Sequence, residues 1–459
     1  LAPLSLAQNS LWKAIPKYAK FGLNTIFNLP FVLRFLDELD EVAFGKACRD
    51  LLVRHAGLRS HFYEDNGMPY QQVIEVSELD NYKWFWTSAE CDTEDRDEFL
   101  KQEAIHPFDL AKELPLRVRF IRCRETGQQF LSFLFHHIVQ DEWSVNLMMD
   151  ELNLAYKLRV QGKAPVWRHE ALPMHEYARM QRGSGAHQKH LDYWLNNLKD
   201  VPWSTPIFPK DHSLSAKADP NGAKGGWVIV EMEDEVRDGL YALAKQQSAS
   251  LFNVVYAAIS AALNTLGAPN KLIVGTSASG RHDVEYYDTI GYFTTVVAHL
   301  VNFDSANTVA DLVAQVKNTI NDSMPYGDIP IDLIEEGLVG GTPDVDGHMF
   351  EVFIQLHAKS KFSGAFELSN GDKINFQQVD SDRSESGLGL QFEVLEETVN
   401  DEQVLRVMMS YLTENYSQAQ VKLLCDTLTA LFAEFARSPK GEQVLSVIKD
   451  RVIESETVE

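Results

Sequence analysis

Cysteine is scarce in this chain, with four residues among 459: Cys48, Cys91, Cys123 and Cys425. They are widely spaced, no two form a CxxC pair, and no histidine stands at zinc-finger spacing from them. This pattern argues against a disulfide framework and against structural zinc. We therefore expect no metal site, and a reducing, cytoplasmic setting fits the sequence.

The chain also has fewer basic than acidic residues and few long apolar runs. Lys and Arg number 42 against 66 Asp and Glu, which gives a formal net charge of -24. Such a charge repels phosphate backbones and anionic lipids, so we expect neither nucleic acid nor a membrane as partner. Residues 254–263 form one of the longest apolar runs, well under the roughly 18 residues of a membrane span. No Gly-rich phosphate loop followed by Lys and Ser or Thr appears.

The first five residues lack the basic region and long apolar stretch of a secretory signal, and a start at Leu1 suggests an excised piece of a longer polypeptide. The hydrophobic content of 45% is ample for a large core, while 459 residues are too many for one compact domain. We therefore expect two lobes. Pro and Gly between residues 162 and 185 indicate a connection between them.

Periodicity predicts a set of helices and strands in both halves. In the first half we expect an amphipathic helix over 44–55, a β-hairpin from 116–123 and 130–135, and a helix after Ser144 as its N-cap. In the second half the patterns predict strands at 226–232, 272–276 and 349–356. Helices are predicted at 234–248, continuing into 251–266, and at 417–435.

The second strand of the hairpin delivers two adjacent histidines, His136 and His137, with Asp141 four residues after the second. Strand ends and the loops that follow them are where catalytic groups tend to be displayed. This placement, rather than the residue types alone, makes the segment a candidate catalytic site.

The segment HHIVQDEWS at 136–144 resembles the HHxxxDGxS signature of the condensation domains of nonribosomal peptide synthetases, in the wider chloramphenicol-acetyltransferase-like superfamily. Further family segments follow in order along the chain. They are LSLAQNSLW at 4–12, RHAGLRSHF at 54–62, MHEYA at 174–178, DTIGYF at 288–293 and YGDIPIDLI at 326–334. Their joint order spans essentially the whole chain and is far more specific than any one of them.

This resemblance implies an α/β (α+β) fold of two acetyltransferase-like lobes in a V-shaped pseudo-dimer with a central tunnel. The lobe with the HHxxxD motif would cover residues 1–175 and the second lobe residues 176–459. The implied activity is that of an acyltransferase, in which an acceptor amine attacks a carrier-bound donor thioester. We expect no bound cofactor, because both substrates arrive on 4'-phosphopantetheine arms. The implied partners are donor and acceptor carrier proteins and neighbouring synthetase domains, and we expect a monomer.

The resemblance also assigns roles to residues. His137 would act as a general base or as the hydrogen-bond acceptor that orients the attacking amine, two alternatives that the sequence leaves open. His136 and Asp141 belong to the same catalytic motif but would be mainly architectural. The Asp141 carboxylate would hold an arginine, either Arg281 or Arg59.

Departures from the family pattern point to the substrate channel. Glu142 replaces the usual Gly, where it would narrow the acceptor channel or recruit a cationic acceptor amine, unless it simply points into solvent. Trp143 and Ser144 are further candidates for the channel lining, with packing as the alternative for Trp143. Thr294, Thr295 and Val296 replace a Val-Asn-Thr order. Residues 386–390 replace a KFDL-like strand.

Other activities on the same scaffold stay open: ester formation, terminal cyclisation and epimerisation. The opening segment favours condensation over epimerisation, and the two retained histidines argue against heterocyclisation. A non-catalytic module that recruits carriers or other partners is a further alternative, although such relatives usually lose part of the histidine motif.

Overall fold

The structure is a computed structural model that describes residues 1–20, 22, 24–203, 207–208, 225–343, 347–357, 361–379 and 389–457. Its helices are α1 Leu6–Ala19, α2 Glu41–Arg54, α3 Arg96–Ala104, α4 Glu142–Val160, α5 Met174–Ser184, α6 Ala186–Leu198, α7 Asp234–Gln246, α8 Leu251–Thr265, α9 Val309–Ser323, α10 Ile331–Val339, α11 Gln418–Ala436 and α12 Leu445–Thr457.

The strands are β1 Ala2–Pro3, β2 Asn28–Phe35, β3 Ser60–Asp65, β4 Met68–Val73, β5 Thr87–Cys91, β6 Leu116–Cys123, β7 Gln129–His136, β8 Gly225–Glu231, β9 Lys271–Ala278, β10 Thr295–Asn302, β11 Val352–His357, β12 Gly364–Glu367, β13 Lys373–Gln378, β14 Leu390–Val399 and β15 Glu402–Leu412. Helices and sheets are thus mixed throughout the described residues, as the α/β class predicts.

Contacts divide the chain into two compact units. The first comprises Leu1–Lys189, Ser279–Thr294 and Ser360–Ser381, and the second comprises His190–Ala278, Thr295–Lys359 and Asp382–Glu459. The division into lobes at residues 175 and 176 stays a prediction. The connection expected between 162 and 185 contains helix α5, which belongs to the first unit.

The first unit is built on a six-stranded sheet with the order β12-β13-β2-β7-β6-β5. Strand β7 lies near its centre, antiparallel to β2 and to β6. All eight residues of β7 are buried, because the strand is covered on both faces. Helices α2 and α4 pack on one face, where Phe44, Phe133 and Tyr156 share a core, and Phe99 and Leu100 of α3 pack on the other.

Helices α2 and α4 are also joined by a buried polar cluster. Glu151 accepts a hydrogen bond from Arg54 Nε at 2.6 Å, and its second oxygen lies 2.5 Å from His55 Nε2. The cluster fixes α4 against α2 in the interior. Since α4 begins at Glu142, directly after Asp141, this packing fixes the position of the C-terminal end of the histidine motif.

The second unit has a six-stranded sheet with the order β10-β9-β11-β14-β15-β8. Strand β11 is parallel to β9 and β14, and the other pairs are antiparallel. Helices α7, α8 and α11 pack on one face of it in a second core.

Most predicted elements are present with shifted ends, but one prediction for this unit is wrong. Residues 234–248 do not continue as a helix into 251–266. Ser248 has a positive φ of 52°, which ends the helical path. Ser250 then caps α8 in a reciprocal capping box with Asn253, so two helices form instead of one.

Candidate active site

The histidine motif lies where strand β7 gives way to helix α4. Strand β7 ends at His136, and residues His137–Val139 form a single 3-10 turn. The backbone N–H of His137 donates to the Phe27 carbonyl at 2.8 Å, and that of Gln140 donates to the His137 carbonyl at 3.2 Å. The turn therefore holds the second histidine at a fixed place beyond the sheet.

The ring of His137 is held in one tautomer. Its Nδ1 lies 2.7 Å from the backbone carbonyl of Gln140. A carbonyl oxygen can only accept, so Nδ1 carries the hydrogen and Nε2 presents a lone pair. No other described residue forms a hydrogen bond with that Nε2.

The surroundings of His137 also keep it neutral. Burial lowers its pKa from the ordinary value, and the carbonyls of the turn and the Asp141 carboxylate oppose this shift only in part. The ring of Tyr292 lies edge-on to the imidazole with centroids 4.9 Å apart. His137 is thus a partly buried, uncharged imidazole with one defined acceptor nitrogen.

His136 has different surroundings. Its Nδ1 accepts a hydrogen bond from the Ile138 N–H at 3.1 Å, and its ring packs near the rings of Phe27 and Phe108. Burial, followed by the neighbouring His137, lowers the pKa of His136 to about 3. The side chain is therefore neutral at physiological pH and helps to shape the turn.

Asp141 is buried and accepts three hydrogen bonds. Its Oδ1 accepts from the Ser144 N–H at 2.8 Å and from Arg281 Nη2 at 3.2 Å, and its Oδ2 accepts from the Phe293 N–H at 3.0 Å. Asp141 is the N-cap of α4. The predicted N-cap, Ser144, is wrong: it is the third residue of the helix, because the carboxylate three positions earlier already satisfies its N–H.

Arg281 ties a loop of the first unit to this helix start. Its Nη1 donates to the carbonyls of Tyr286 at 2.8 Å and Thr289 at 2.7 Å, while Nη2 donates to Ser144 Oγ at 2.6 Å as well as to Asp141. Burial lowers the pKa of Arg281, and Asp141 opposes that shift. The pair therefore organises residues 279–294 around the start of α4.

Arg59, the second arginine proposed for Asp141, lies elsewhere. Its guanidinium donates to the carbonyls of Leu52 and Ile74, both at 2.8 Å. These bonds connect the end of α2 to the residue that follows strand β4. The structure thus brings His136, His137, Asp141 and Arg281 together in one region of the first unit and leaves Arg59 outside it.

The three channel candidates stand at the start of α4 in different ways. Glu142 is exposed. Trp143 is 43% exposed, and its Nε1 donates to the Tyr287 carbonyl at 2.9 Å. Ser144 is fully buried, and its hydroxyl donates to the Gly291 carbonyl at 2.9 Å and accepts from the Gly291 N–H at 3.0 Å. Ser144 therefore holds the loop, whereas the other two present surface at the helix start.

Two neighbours of the site were not singled out from the sequence. Tyr292 lies in the family segment at 288–293, so the segment itself was the signal for it. Gln8, in the opening segment, donates to the Ile138 carbonyl at 3.4 Å and supports the turn from α1. The Gln140 carbonyl that sets the tautomer is a backbone group, so its role cannot be recognised from the residue types in the sequence.

Within the described ranges, no three His, Cys, Asp or Glu side chains come together as a possible metal site. Across the same part of the chain, none of the helices combines the length and apolar character needed to cross a membrane.

Comparison with known families decides where the chain belongs. The family model for the condensation domain matches residues 1–448. The chain belongs to the condensation domain family. The resemblance drawn from the sequence motifs is thereby confirmed.

Curated relatives of this condensation domain are much longer synthetases. A probable nonribosomal peptide synthetase of Salinispora arenicola is 30% identical over 346 residues, which are 73% of this chain and 4% of that protein. The beauvericin nonribosomal cyclodepsipeptide synthetase of Gibberella fujikuroi is 28% identical over 349 residues, 74% of this chain and 11% of that protein. The chain thus corresponds to a small part of each.

Solved structures show the same fold. The X-domain from teicoplanin biosynthesis matches with a TM-score of 0.77 and 21% identity, covering 97% of this chain and 96% of that one. The first condensation domain of the calcium-dependent antibiotic synthetase matches with a TM-score of 0.72 and 16% identity, covering 97% and 98%. The acetyltransferase-like fold is therefore shown.

Proposed function

We propose that this condensation domain catalyses amide-bond formation between two carrier-bound building blocks. The observation that carries the proposal is the hydrogen bond from His137 Nδ1 to the Gln140 carbonyl at 2.7 Å. It leaves Nε2 as a defined acceptor on a neutral ring. An attacking amine needs such an acceptor for the proton that it must lose.

The reaction needs few catalytic groups. The amine nitrogen forms a bond to the thioester carbon, and the C–S bond breaks as the phosphopantetheine thiol leaves. The proton lost by nitrogen is returned to the departing sulfur. His137 serves this path either as a general base or by accepting a hydrogen bond that aims the amine, and the rest is achieved by holding the reactants together.

His136, Asp141 and Arg281 act in this proposal as positioning residues. The engagement of the Asp141 carboxylate by three donors supports that role. The channel lining at the start of α4 comprises Glu142 and Trp143. Exchange of Glu142 for the usual glycine, Glu142→Gly, is expected to change the preference among acceptors, and unchanged preference would remove Glu142 from the channel.

The partners follow from the same proposal. Donor and acceptor carrier proteins bring their substrates to the histidine motif on phosphopantetheine arms. The domain needs no cofactor of its own. Neighbouring synthetase domains supply the carriers, and the domain acts as one monomeric unit of such a chain.

The decisive experiment uses loaded carrier proteins and intact-protein mass spectrometry. Wild-type protein is expected to transfer the donor group to the acceptor amine, and His137→Ala is expected to lose at least about a hundredfold in rate. His169→Ala is the matched control, because His169 is exposed and its side chain lies outside the site. Equal product from wild type and His137→Ala would overturn the assignment of His137.

Ester formation is the second candidate, because one relative is a cyclodepsipeptide synthetase. Acceptors that differ only in amine or hydroxyl separate the two reactions in the same assay. The X-domain likeness keeps a non-catalytic recruiting role as a further outcome. Absence of product with every carrier, combined with retained carrier binding, would favour that role.

A further inference from the structure

Three cationic side chains of the first unit gather around one tryptophan ring. The guanidinium carbon of Arg117 lies 3.9 Å from the centre of the Trp84 ring, and that of Arg119 lies 5.3 Å from it. The ammonium nitrogen of Lys83 lies 4.9 Å from the same centre. Cations at such distances are attracted to the face of an indole. Together with Glu103, the carboxylate that pairs with the two arginines, we call these residues the Trp84 cluster.

Strand β6 and helix α3 bring the Trp84 cluster together. Arg117 and Arg119 are two residues apart in β6, so their side chains point to the same side of the sheet. This is the side that α3 covers, because the guanidinium carbon of Arg119 lies 4.8 Å from the centre of the Phe99 ring. Glu103 follows Phe99 by four residues in α3 and therefore stands on the same face of that helix. All of these residues belong to the first unit.

The Trp84 cluster holds more positive than negative charge. Its three cations, Lys83, Arg117 and Arg119, meet one carboxylate, and in the part of the chain that the structure describes no second carboxylate pairs with them. This leaves a local excess of two positive charges in a chain with a formal net charge of -24. The side chains of Arg117 and Arg119 are only 10% and 17% exposed, and an uncompensated charge in such surroundings costs free energy. An anionic ligand would balance this charge.

Each arginine keeps one terminal nitrogen that Glu103 does not engage. Glu103 Oε1 accepts a hydrogen bond from Arg119 Nη1 at 2.5 Å, and its Oε2 lies 3.5 Å from Arg117 Nη2. The Nε atoms of both arginines are buried and unpartnered. Among the described residues nothing pairs with Arg117 Nη1 or Arg119 Nη2 either, and these two atoms, unlike the Nε atoms, are not sealed from solvent. With the exposed ammonium group of Lys83, the cluster thus presents three donors around one ring.

We propose that the Trp84 cluster binds a phosphate group, either as free orthophosphate or as a small phosphomonoester. Arg117 Nη1 and Arg119 Nη2 would donate charge-assisted hydrogen bonds to the phosphate oxygens, and the Lys83 ammonium group would donate a third. A phosphomonoester carries about 1.5 to 2 negative charges at neutral pH and three acceptor oxygens, which match the excess charge and the donors of the cluster. A monocarboxylate matches neither.

Shielding from water favours such binding. Because the side chains of Arg117 and Arg119 are mostly buried, an oxyanion at their open ends competes with less water than it would on exposed arginines. The backbone N–H of Val118 donates to the Trp84 carbonyl at 2.9 Å, which holds the residues before β5 against β6. Phosphate held by Lys83 and the two arginines would add a second link between these segments and slow their local opening.

Calorimetric titration with inorganic phosphate tests the site without catalysis. Near neutral pH and at a constant ionic strength of about 0.15 M, wild-type protein is expected to bind phosphate at least about tenfold more tightly than acetate. Arg117→Gln should weaken phosphate binding at least about tenfold, and Lys83→Gln about threefold because Lys83 is exposed. Lys101→Gln is the matched control and should bind like the wild type. This exposed lysine of α3 stands two positions from both Phe99 and Glu103, so it points away from the cluster.

Tighter binding of glycerol 2-phosphate than of orthophosphate indicates a phosphomonoester as the ligand, and weaker binding indicates orthophosphate. Hydrogen exchange gives a second readout, because phosphate should slow exchange in peptides from residues 83–91 of the wild type and of Lys101→Gln but not of Arg117→Gln. Equal affinity of the wild type for phosphate and acetate, or wild-type phosphate affinity in Arg117→Gln, would overturn the inference. Should Arg117→Gln fail to fold, Lys83→Gln is compared with Lys101→Gln, and equal phosphate affinities of these two variants overturn it.

Discussion

Removing the Asp141 carboxylate gives the sharpest test of the site. Both side chains of the Asp141–Arg281 pair are 1% exposed. Asp141→Ala would leave the Arg281 guanidinium buried without its carboxylate and leave the N–H groups of Ser144 and Phe293 without an acceptor. Breaking a buried pair from one side typically costs about 3–5 kcal/mol, so the variant should be strongly destabilised around residues 279–294.

The reverse change should cost less. In Arg281→Met the Asp141 carboxylate keeps the hydrogen bonds that it accepts from the N–H groups of Ser144 and Phe293, at 2.8 and 3.0 Å. We expect a loss of about 1–3 kcal/mol, the range for a buried group left partly unsatisfied. The double variant should therefore be more stable than the sum of the two single losses predicts, by about 1–3 kcal/mol.

Hydrogen exchange of peptides from residues 279–294 measures this directly. A local loss of about 3 kcal/mol corresponds to roughly a hundredfold faster opening. Peptides from β15 in the second unit serve as the internal control. If Asp141→Ala keeps full protection of 279–294 yet abolishes product formation, the positioning role is wrong and the carboxylate takes part in proton transfer.

Three further results are expected. Because burial lowers the pKa of His137, an NMR titration of its ring, identified by the signal lost in His137→Ala, should give a midpoint below 6.5. Tyr292→Ala should move that midpoint upward by admitting water, and Tyr292→Phe should not. Burial lowers the pKa of His136 from an ordinary 6.5 to about 3. Between these pH values the unfolded chain binds a proton that the folded chain lacks, so the folded state loses stability as the pH falls. His136→Asn should therefore weaken the fall of the melting temperature as the pH drops from 6.5 to 4.5. Gly280→Ala would place a Cβ 2.0 Å from a backbone oxygen, whereas the Cβ of Gly127→Ala, at a similar positive φ, would meet open space. The melting temperature should therefore fall clearly more in Gly280→Ala than in Gly127→Ala.

Local signals in the sequence were strong around the histidine motif. Strand β6 has the predicted bounds, and β7 reaches from Gln129 to His136 because an apolar run of this kind suits a strand buried on both faces. The following helix was also expected. Only its cap was misjudged, since two short polar residues three positions apart compete for one role and the carboxylate of Asp141 accepts the N–H of Ser144.

Long-range contacts were harder to predict. Arg59 stands in the family segment at 54–62 and Arg281 lies seven residues before the segment at 288–293, and nothing in their local sequence tells which of them meets Asp141. The choice depends on residues 279–294, which leave the sheet of the second unit between β9 and β10 yet belong to the first unit. The expected KFDL-like departure at residues 386–390 falls mostly outside the described residues.

The tautomer of His137 shows a different limit. A backbone carbonyl, that of Gln140, determines which ring nitrogen carries the hydrogen. Every residue has such a carbonyl, so residue types carry no trace of this choice. It becomes visible only when the turn at His137–Val139 places the carbonyl and the ring side by side.

The lowered pKa of His137 bears on the choice between the two roles proposed for it. A free α-ammonium group has a pKa of about 7.7–8.0, whereas burial holds that of His137 below its ordinary 6.5. Proton transfer from the free ammonium to this imidazole would therefore be uphill before any bond forms. An ammonium nitrogen has no lone pair for the attack, so in the proposed mechanism the acceptor amine arrives neutral and loses a proton after attack has made the nitrogen more acidic. The first task proposed for His137 Nε2 is therefore to accept a hydrogen bond and orient the amine, with full proton transfer after bond formation.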